Sequence, residues 1–547
     1  MNRLAVAIAT LALLSACDGG DIIIQPSTTD ASVDNSSNTT QPVAEENPCA
    51  SYLSTGGQTI QGELSGNNCI YVPSFVDAGN NLTVNMTIPD LENDGAHIFE
   101  GSLFVGKTYD TDEGLAGAGI TKGGDGPVLT VEAGATLAFR SSGDFIIVNR
   151  GAQLFAVGTE DKPITFTSVS DVEGTVGPED VQQWGGIVIN GFGVTNKCQY
   201  TGSMSAGNLT TSDCHVDAEG AAGLDESQYG GDNNEDSSGR LEYVIVKHTG
   251  AEVANGDELN GISFGGVGSN TIIKNLQVYS TYDDGIEMFG GAVSFENYVG
   301  VYVRDDSIDI DEGWSGSITN ALVIQSETLG NHCIEADGIG SFSSLTSEAV
   351  EATIKQGINS RPTISNLTCI VSPSAEQGNF DPGAGWRLRE GIFATINDSM
   401  VVGSFNSDSD DSNYCLRIDN RSKQAAQDGD LSLNSVIFAC ADRTRGNSLP
   451  NGTRVEDWAA ANGAVFATIN DWADPTPNAH TDLQLLQDTP PVYSIEYATM
   501  SVDGEVPSGS PQNGVYIGAL STADINWAMG WTYGIFEGNR GQSLWFE

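Results

Sequence analysis

Carboxylates crowd two short stretches of the chain: Asp283, Asp284 and Glu287, then Asp305, Asp306, Asp309 and Asp311, the second run repeating the first at an offset of 22 residues. Oxygen-only groups of this kind can hold a hard cation, act as general acid and base, or form a solvated face. Ca²⁺ takes six to eight oxygens and suits Asp-rich turns, so these seven residues are the expected Ca²⁺ ligands. There is no EF-hand loop or nonapeptide calcium repeat, and the expectation rests on position and composition. A second reading takes Asp284, Asp305 and Asp306 with His332 as a catalytic set, paired carboxylates serving as general acid and base. Read structurally instead, His332 is a satisfied residue at a coil corner. No phosphate-cradling glycine loop, nucleophile elbow or zinc spacing occurs.

Short strands must position these groups. In SIDIDEGW at 307, Ile308 and Ile310 take one face and Asp309 and Asp311 the other. Setting Ile286 beneath Ile308 puts Asp283 under Asp305, Asp284 under Asp306 and Glu287 under Asp309. Strands stack about 4.8 Å apart, where two carboxylates repel by roughly 3 to 4 kcal/mol at the effective dielectric of a protein surface. Raised pKa values, splayed side chains or a bound cation are the available reliefs.

The stacking itself is read from repeats. VEAGATL at 131 is echoed by VNRGAQL at 148, and GISFGG at 261, GIEMFGG at 285, SIDIDEG at 307 and CIEADG at 333 recur with a looser period. A second family runs alongside: LEYVIVKHTG at 241, NLQVYST at 275, NYVGVYVRD at 297, NALVIQ at 320, NLTCIVS at 366 and NSVIFACAD at 434. Two strand types sharing one period of about two dozen residues describe a solenoid; a β-sandwich gives no reason for like motifs at constant spacing. The expected fold is all-β, a right-handed parallel β-helix over residues 126–450. Residues 48–125 and 451–547 are the expected N- and C-terminal caps, and two insertions interrupt the coils. The first, 196–240, carries Cys198 and Cys214; the second, 338–362, carries a short helix in SLTSEAVEATIKQG. Another short helix is expected over Val455 to Ala461. Trp184, Trp314 and Trp386 each adjoin glycine; such residues can make sugar platforms but more often cover the side or end of a solenoid.

Charge narrows the partners. Lys and Arg number 22 against 73 Asp and Glu, a net −51, which excludes nucleic acid and repels anionic lipid. The opening MNRLAVAIATLALLSAC has a basic start and an apolar run too short to span a bilayer, the build of a signal peptide over residues 1–16. Its end resembles a bacterial lipobox, which implies lipid attachment at Cys17 and a location in the cell envelope, at the outer membrane and cell surface. Asp18 follows, and in enteric bacteria such an Asp tends to retain lipoproteins at the inner membrane. Residues 17–47 read as lipid anchor and disordered tether. Eight further cysteines in an exported chain imply disulfides. Sequential pairing, Cys49–Cys69, Cys198–Cys214, Cys333–Cys369 and Cys415–Cys440, is expected because each pair brackets an excursion rich in Gly, Asn, Ser or Asp. No CxxC favours a metal thiolate site.

DDGIEM at 283 and RDDSIDI at 304 resemble the aspartate strands of polygalacturonase-type β-helix glycosidases, and GNHCIEADG at 330 resembles their histidine strand. Their Gly-His-Gly and Arg-x-Lys runs are absent, which leaves sugar binding without its expected contacts. QQWGGIVINGFG at 182, RDDSIDIDEGW at 304, NHCIEADG at 331, GWRLREG at 385 and WAMGWT at 527 are similar to a group of exported β-helical surface lipoproteins of marine gammaproteobacteria and Bacteroidetes. In composition and length the chain also resembles the surface-layer proteins of Alteromonas-like bacteria. That resemblance implies a non-enzymatic structural or adhesive role in a surface layer or biofilm matrix. Copies of the chain would cohere through divalent cations, the membrane being met through the lipid anchor alone. The alternatives are a polysaccharide-active hydrolase or lyase and a glycan-binding surface protein. The lipobox departs from the many lattice proteins held by lipopolysaccharide.

Overall fold

A computed structural model describes residues 47–545 apart from 78, 220–226, 255–256, 373–381, 404–412, 441, 467–494, 497–515 and 521–526. The expected signal peptide, Cys17 and most of the tether lie outside the described residues. No helix among the described residues is long and apolar enough to cross a membrane.

The chain winds as a parallel β-helix, with the right hand that parallel crossovers take. One face is a ten-stranded parallel sheet: β1 (Leu103–Val105), β2 (Ile146–Val148), β3 (Ile187–Asn190), β4 (Ile262–Gly265), β5 (Ile286–Phe289), β6 (Ile308–Asp311), β7 (His332–Asp337), β8 (Ala384–Arg389), β9 (Leu416–Ile418) and β10 (Thr444–Arg445). The other faces come largely from long strands such as Ile272–Thr281, Ser294–Val301, Ser317–Ile324 and Thr363–Ile370, paired in parallel. Each long strand bends where one residue takes positive φ: Asn275, Asn297, Asn320 and Asn366. Asparagine tolerates that conformation, and its amide also bonds along the stack. Asn297 Nδ2 donates to Asn275 Oδ1 at 2.7 Å and Asn320 Nδ2 to Asn297 Oδ1 at 2.9 Å.

Apolar residues at like positions fill the cylinder. Ile262 pairs with Ile286 and Ile286 with Ile308, and the β6–β7 register carries the row on to Ile334; all four are fully buried. Trp184, Trp314 and Trp386 are also fully buried. They cover neither the side nor the end of the solenoid, and none is a sugar platform; Gly316 makes room for the Trp314 indole, which a Cβ there would approach to 2.7 Å. Trp184 Nε1 donates to the Lys247 carbonyl and Trp314 Nε1 to that of Val293.

Coiling starts well before residue 126. Asn68–Tyr71 pairs in parallel with Ala96–Phe99, and Met86–Ile88 with Val128–Val131; the antiparallel pairs of Ser51–Leu53 with Thr59–Gln61 and of Glu63–Ser65 with Asn68–Tyr71 stand at the N-terminal end. The period in this stretch is too irregular to read from the sequence. At the other end Ala464–Phe466 adds one more strand, and the helix Val455–Ala461 covers the coils, its Trp458 Nε1 bonded to the Ala426 carbonyl. Residues 516–520 and 527–545 are not an end cap: they lie along the side of the solenoid. Cysteine pairing joins Cys49 to Cys69, Cys198 to Cys214, Cys333 to Cys369 and Cys415 to Cys440. The two insertions meet: Gln356, last residue of the helix Ser347–Gln356, donates from Nε2 to the Tyr200 carbonyl at 2.9 Å.

Candidate metal centre

Along the outward side of β4 to β10, one row of the ladder reads Ser263, Glu287, Asp309, Glu335, Arg387, Arg417 and Arg445. The next outward row places Phe289 beside Asp311, and Asp337 beside Arg389. Acid thus occupies the middle rungs and arginine the upper ones. The turns ahead of the strands supply further carboxylates. Gly285 is required there: a Cβ would fall 2.5 Å from the Ser307 carbonyl oxygen of the next rung. The close approach lets Asp284 Oδ1 accept from the Asp306 N–H at 2.9 Å. One rung below, Asn260 Oδ1 accepts from the Asp284 N–H at 3.1 Å while its Nδ2 donates to Glu287 Oε2 at 2.6 Å.

Three groups converge closely enough to share a cation, their ligand atoms all within 4.8 Å of one another: Asp283 with Asp284 and Asp305; Asp284 with Glu287 and Asp309; Asp306 with His332 and Glu335. The seven expected ligands therefore divide. Five form two oxygen-only groups sharing Asp284. Asp306 turns to His332 instead, and Asp311 joins none of the three, because its Oδ1 accepts from the Glu312 N–H.

The third group already has its cations. Arg387 Nη1 lies 2.9 Å from Glu335 Oε1, and Arg389 bonds both Glu335 and Asp337. Asp306 Oδ1 accepts from His332 Nδ1 at 2.8 Å and from its backbone N–H at 2.7 Å, while His332 Nε2 meets the Tyr414 hydroxyl at 2.7 Å. With Nδ1–H donating to the carboxylate, the tyrosine O–H donates to Nε2. His332 therefore sits on strand β7, bonded at both ring nitrogens, and not at a coil corner. Burial holds its pKa down at about 4.

The oxygen-only groups have no such help. Asp283, Asp284, Glu287 and Asp309 form no ion pair with Lys or Arg among the described residues. Asp284 and Glu287 are buried, and Asp283 and Asp309 half-buried. Burial, then the Asp305 charge, pushes Asp283 up to about 8. Burial, then neighbouring carboxylates (foremost Asp309 at Asp284, Glu219 at Glu287 and Glu335 at Asp309), raise Asp284, Glu287 and Asp309 well above the carboxylate range. Asp309 Oδ1 is buried without a hydrogen-bond partner among the described residues, an acceptor left open toward the group. This donor set fits a hard divalent cation, which would hold the carboxylates ionised and remove the repulsion.

Asp284, Asp306 and His332 are buried, and Asp306 and His332 are tied to each other. A hollow of about 210 Å³, lined by Leu115, Arg150, Phe192 and Asp232, lies where the first insertion meets residues 112–121, 150 and 192, and not on the ladder.

Glu335, Asp337, Arg387, Arg389 and Tyr414 were not expected as members of this array. The signal for Glu335 was present: it follows Ile334 as Asp309 follows Ile308. Arg387 continues the row one coil further, across an interval lengthened by an insertion.

The model of one family, described as a pectate-lyase-like beta helix domain, matches residues 107–474, most of the chain. No curated protein and no solved structure matches.

Proposed function

The chain belongs to the family of pectate-lyase-like β-helix domains, and from that premise we propose that it is a calcium-loaded, non-catalytic scaffold of the cell envelope. In this reading the protein is exported, carried on lipid at Cys17, and does structural or adhesive work through copies of itself held together by divalent cations. One observation carries the reading: Asp284, Glu287 and Asp309, buried or half-buried on β5, β6 and the turn before β5, converge without an arginine or lysine partner among the described residues. A net charge of −51 adds to it, since such a surface gathers cations and repels its own copies without them. The test is thermal unfolding and light scattering in chelator and in millimolar calcium. Calcium is expected to raise the melting temperature and to promote association; the same melting temperature in both would overturn the reading.

A second reading keeps polysaccharide chemistry. Its support is the relay Asp306, His332, Tyr414, flanked by Arg387, on a fold of this family. Product release from pectic, alginate or sulfated polymers, lost on Asp306→Asn or Tyr414→Phe with the fold intact, would replace the scaffold reading with this one.

A further inference from the structure

The outward row that carries Glu287 and Asp309 begins apolar. On β1, β2 and β3 it reads Phe104, Ile147 and Val188, then Ser263 on β4 and the first acid, Glu287, on β5. The first insertion covers the apolar rungs. Its strands Val216–Asp217 and Gln228–Tyr229 pair with each other, and Ala218 and Tyr229 are buried in one cluster with Phe104, Ile147, Val188 and Phe289.

Tyr229 sets how far up the ladder this cover reaches. Gly265 on β4 admits its ring, since a Cβ there would come within 2.7 Å of it. The ring centre stands 6.0 Å from that of Phe289, and the hydroxyl donates to Glu312 Oε2 at 2.6 Å, just past the end of β6. The cover therefore ends at the rung where acid begins, and Glu219, directly after the buried Ala218, meets that boundary. Its carboxyl shares a hydrogen bond with that of Glu287, and its charge is felt at Asp283. Glu219 is exposed, yet the insertion holds its carboxyl beside acids.

Two carboxyl groups meet side by side only around a shared proton or a cation. The two oxygen-only groups of the middle rungs hold five carboxylates between them, at most ten oxygens. Three of those oxygens already accept: Asp284 Oδ1 from the Asp306 N–H, Glu287 Oε2 from Asn260 Nδ2 and Asp305 Oδ1 from Asn331 Nδ2. Two Ca²⁺ ions take six to eight oxygens each, so the ladder alone leaves positions for another donor. In the group that Glu219 adjoins, the buried Asp309 Oδ1 has no hydrogen-bond partner among the described residues, an acceptor left for an ion.

We propose that Glu219 is a further ligand of the metal centre, and that a divalent cation bound there latches the first insertion onto the ladder. The ion takes the place of the proton between Glu219 and Glu287, which leaves to solvent, and joins a carboxylate of the insertion to those of β5 and β6. Loading of the ion and seating of the insertion then favour each other by the same factor. The proposal deepens the calcium reading and rests on it for the ion.

Glu219→Gln in the full-length protein tests it. Asp217→Asn is the control, an equal loss of charge on the same insertion at a carboxylate whose Oδ1 accepts from Gln228 Nε2 instead. In calcium titration calorimetry the affinity should fall about tenfold or more in Glu219→Gln and less than about twofold in Asp217→Asn. Hydrogen exchange at the Ala218 amide, bonded to the Ser227 carbonyl at 3.0 Å, should slow about tenfold in millimolar calcium in the parent and stay unchanged by calcium in Glu219→Gln. Three outcomes would overturn the latch and leave the calcium reading standing: parental affinity in Glu219→Gln, an equal loss in Asp217→Asn, or calcium slowing exchange in Glu219→Gln as in the parent. A parent that binds no calcium would overturn both.

Discussion

The middle and upper rungs of the acidic ladder lie on one sheet yet neutralise themselves differently. On β5 and β6, Glu287 and Asp309 face each other with Asp283 and Asp284 close by, and no guanidinium reaches the four among the described residues. On β7 and β8, Glu335 and Asp337 stand directly opposite Arg387 and Arg389. A parallel stack puts like positions above one another whatever their charge, so neutrality depends on which residue the next coil supplies. The upper rungs carry a built-in cation. The middle rungs leave that place open to one from solution.

The largest test of the contrast is calcium removal. Two sites each held at about a thousandfold over Kd contribute on the order of 8 kcal/mol; for a chain of this size chelation should lower the melting temperature by about 5–10 °C, read by calorimetry. If the middle rungs are neutralised otherwise, chelator changes nothing.

Arg389→Met should give the upper rungs the character of the middle ones. Glu335 and Asp337 would lose their strongest partner, costing about 2–3 kcal/mol once the quarter exposure of the arginine is discounted. The variant should also become more dependent on calcium than the parent. A loss of stability that calcium cannot reduce would break the symmetry drawn between the two regions.

Smaller, and opposite in sign between conditions, is Asp309→Asn. Without calcium it should raise stability by about 1–2 kcal/mol, because folding no longer has to protonate a carboxylate there; with calcium it should lower the affinity at least tenfold, read by titration calorimetry. Glu335→Gln should destabilise in both conditions, since there the charge is already paired.

A probe that needs no substitution is pH. Asp283 rises from an ordinary 3.8 to about 8 on folding, so between those values the folded metal-free protein holds a proton that the unfolded chain has released. Stability should fall as pH rises from about 4 to 8, Asp283 alone contributing about 1.4 kcal/mol per pH unit and Asp284, Glu287 and Asp309 adding in the same direction, and calcium should abolish the slope. His332 acts the other way: its folded pKa of about 4 lies below the ordinary 6.5, so its contribution is lost as pH falls through that interval. Melting temperatures from pH 4 to 8, with and without calcium, separate the two.

How far the sequence reached can be judged residue by residue. Like motifs at near-constant spacing made the parallel β-helix legible, because a stacked coil demands the same residue type at the same place. The isoleucine period put Glu287 opposite Asp309, where the structure has them. The early coils escaped notice since their strands are only three or four residues long. The tryptophans misled because glycine beside an indole marks an internal packing niche as well as an external platform. The segment 516–545 was read as a cap because nothing in its aromatics says which surface of a solenoid they will meet.

By itself the sequence determined the coil, since hydrophobic period and turn chemistry are local and repeat. It also determined that acidic groups recur at one offset. Tertiary structure alone decided which carboxylates converge, because insertions of unequal length separate β3, β4, β7 and β8 along the chain while leaving them neighbours in the sheet. That is why Arg387 and Arg389 meet Glu335 and Asp337 across 52 residues. Charge compensation acts through space over a few ångströms, and the register of the stack, not distance along the chain, sets who is near.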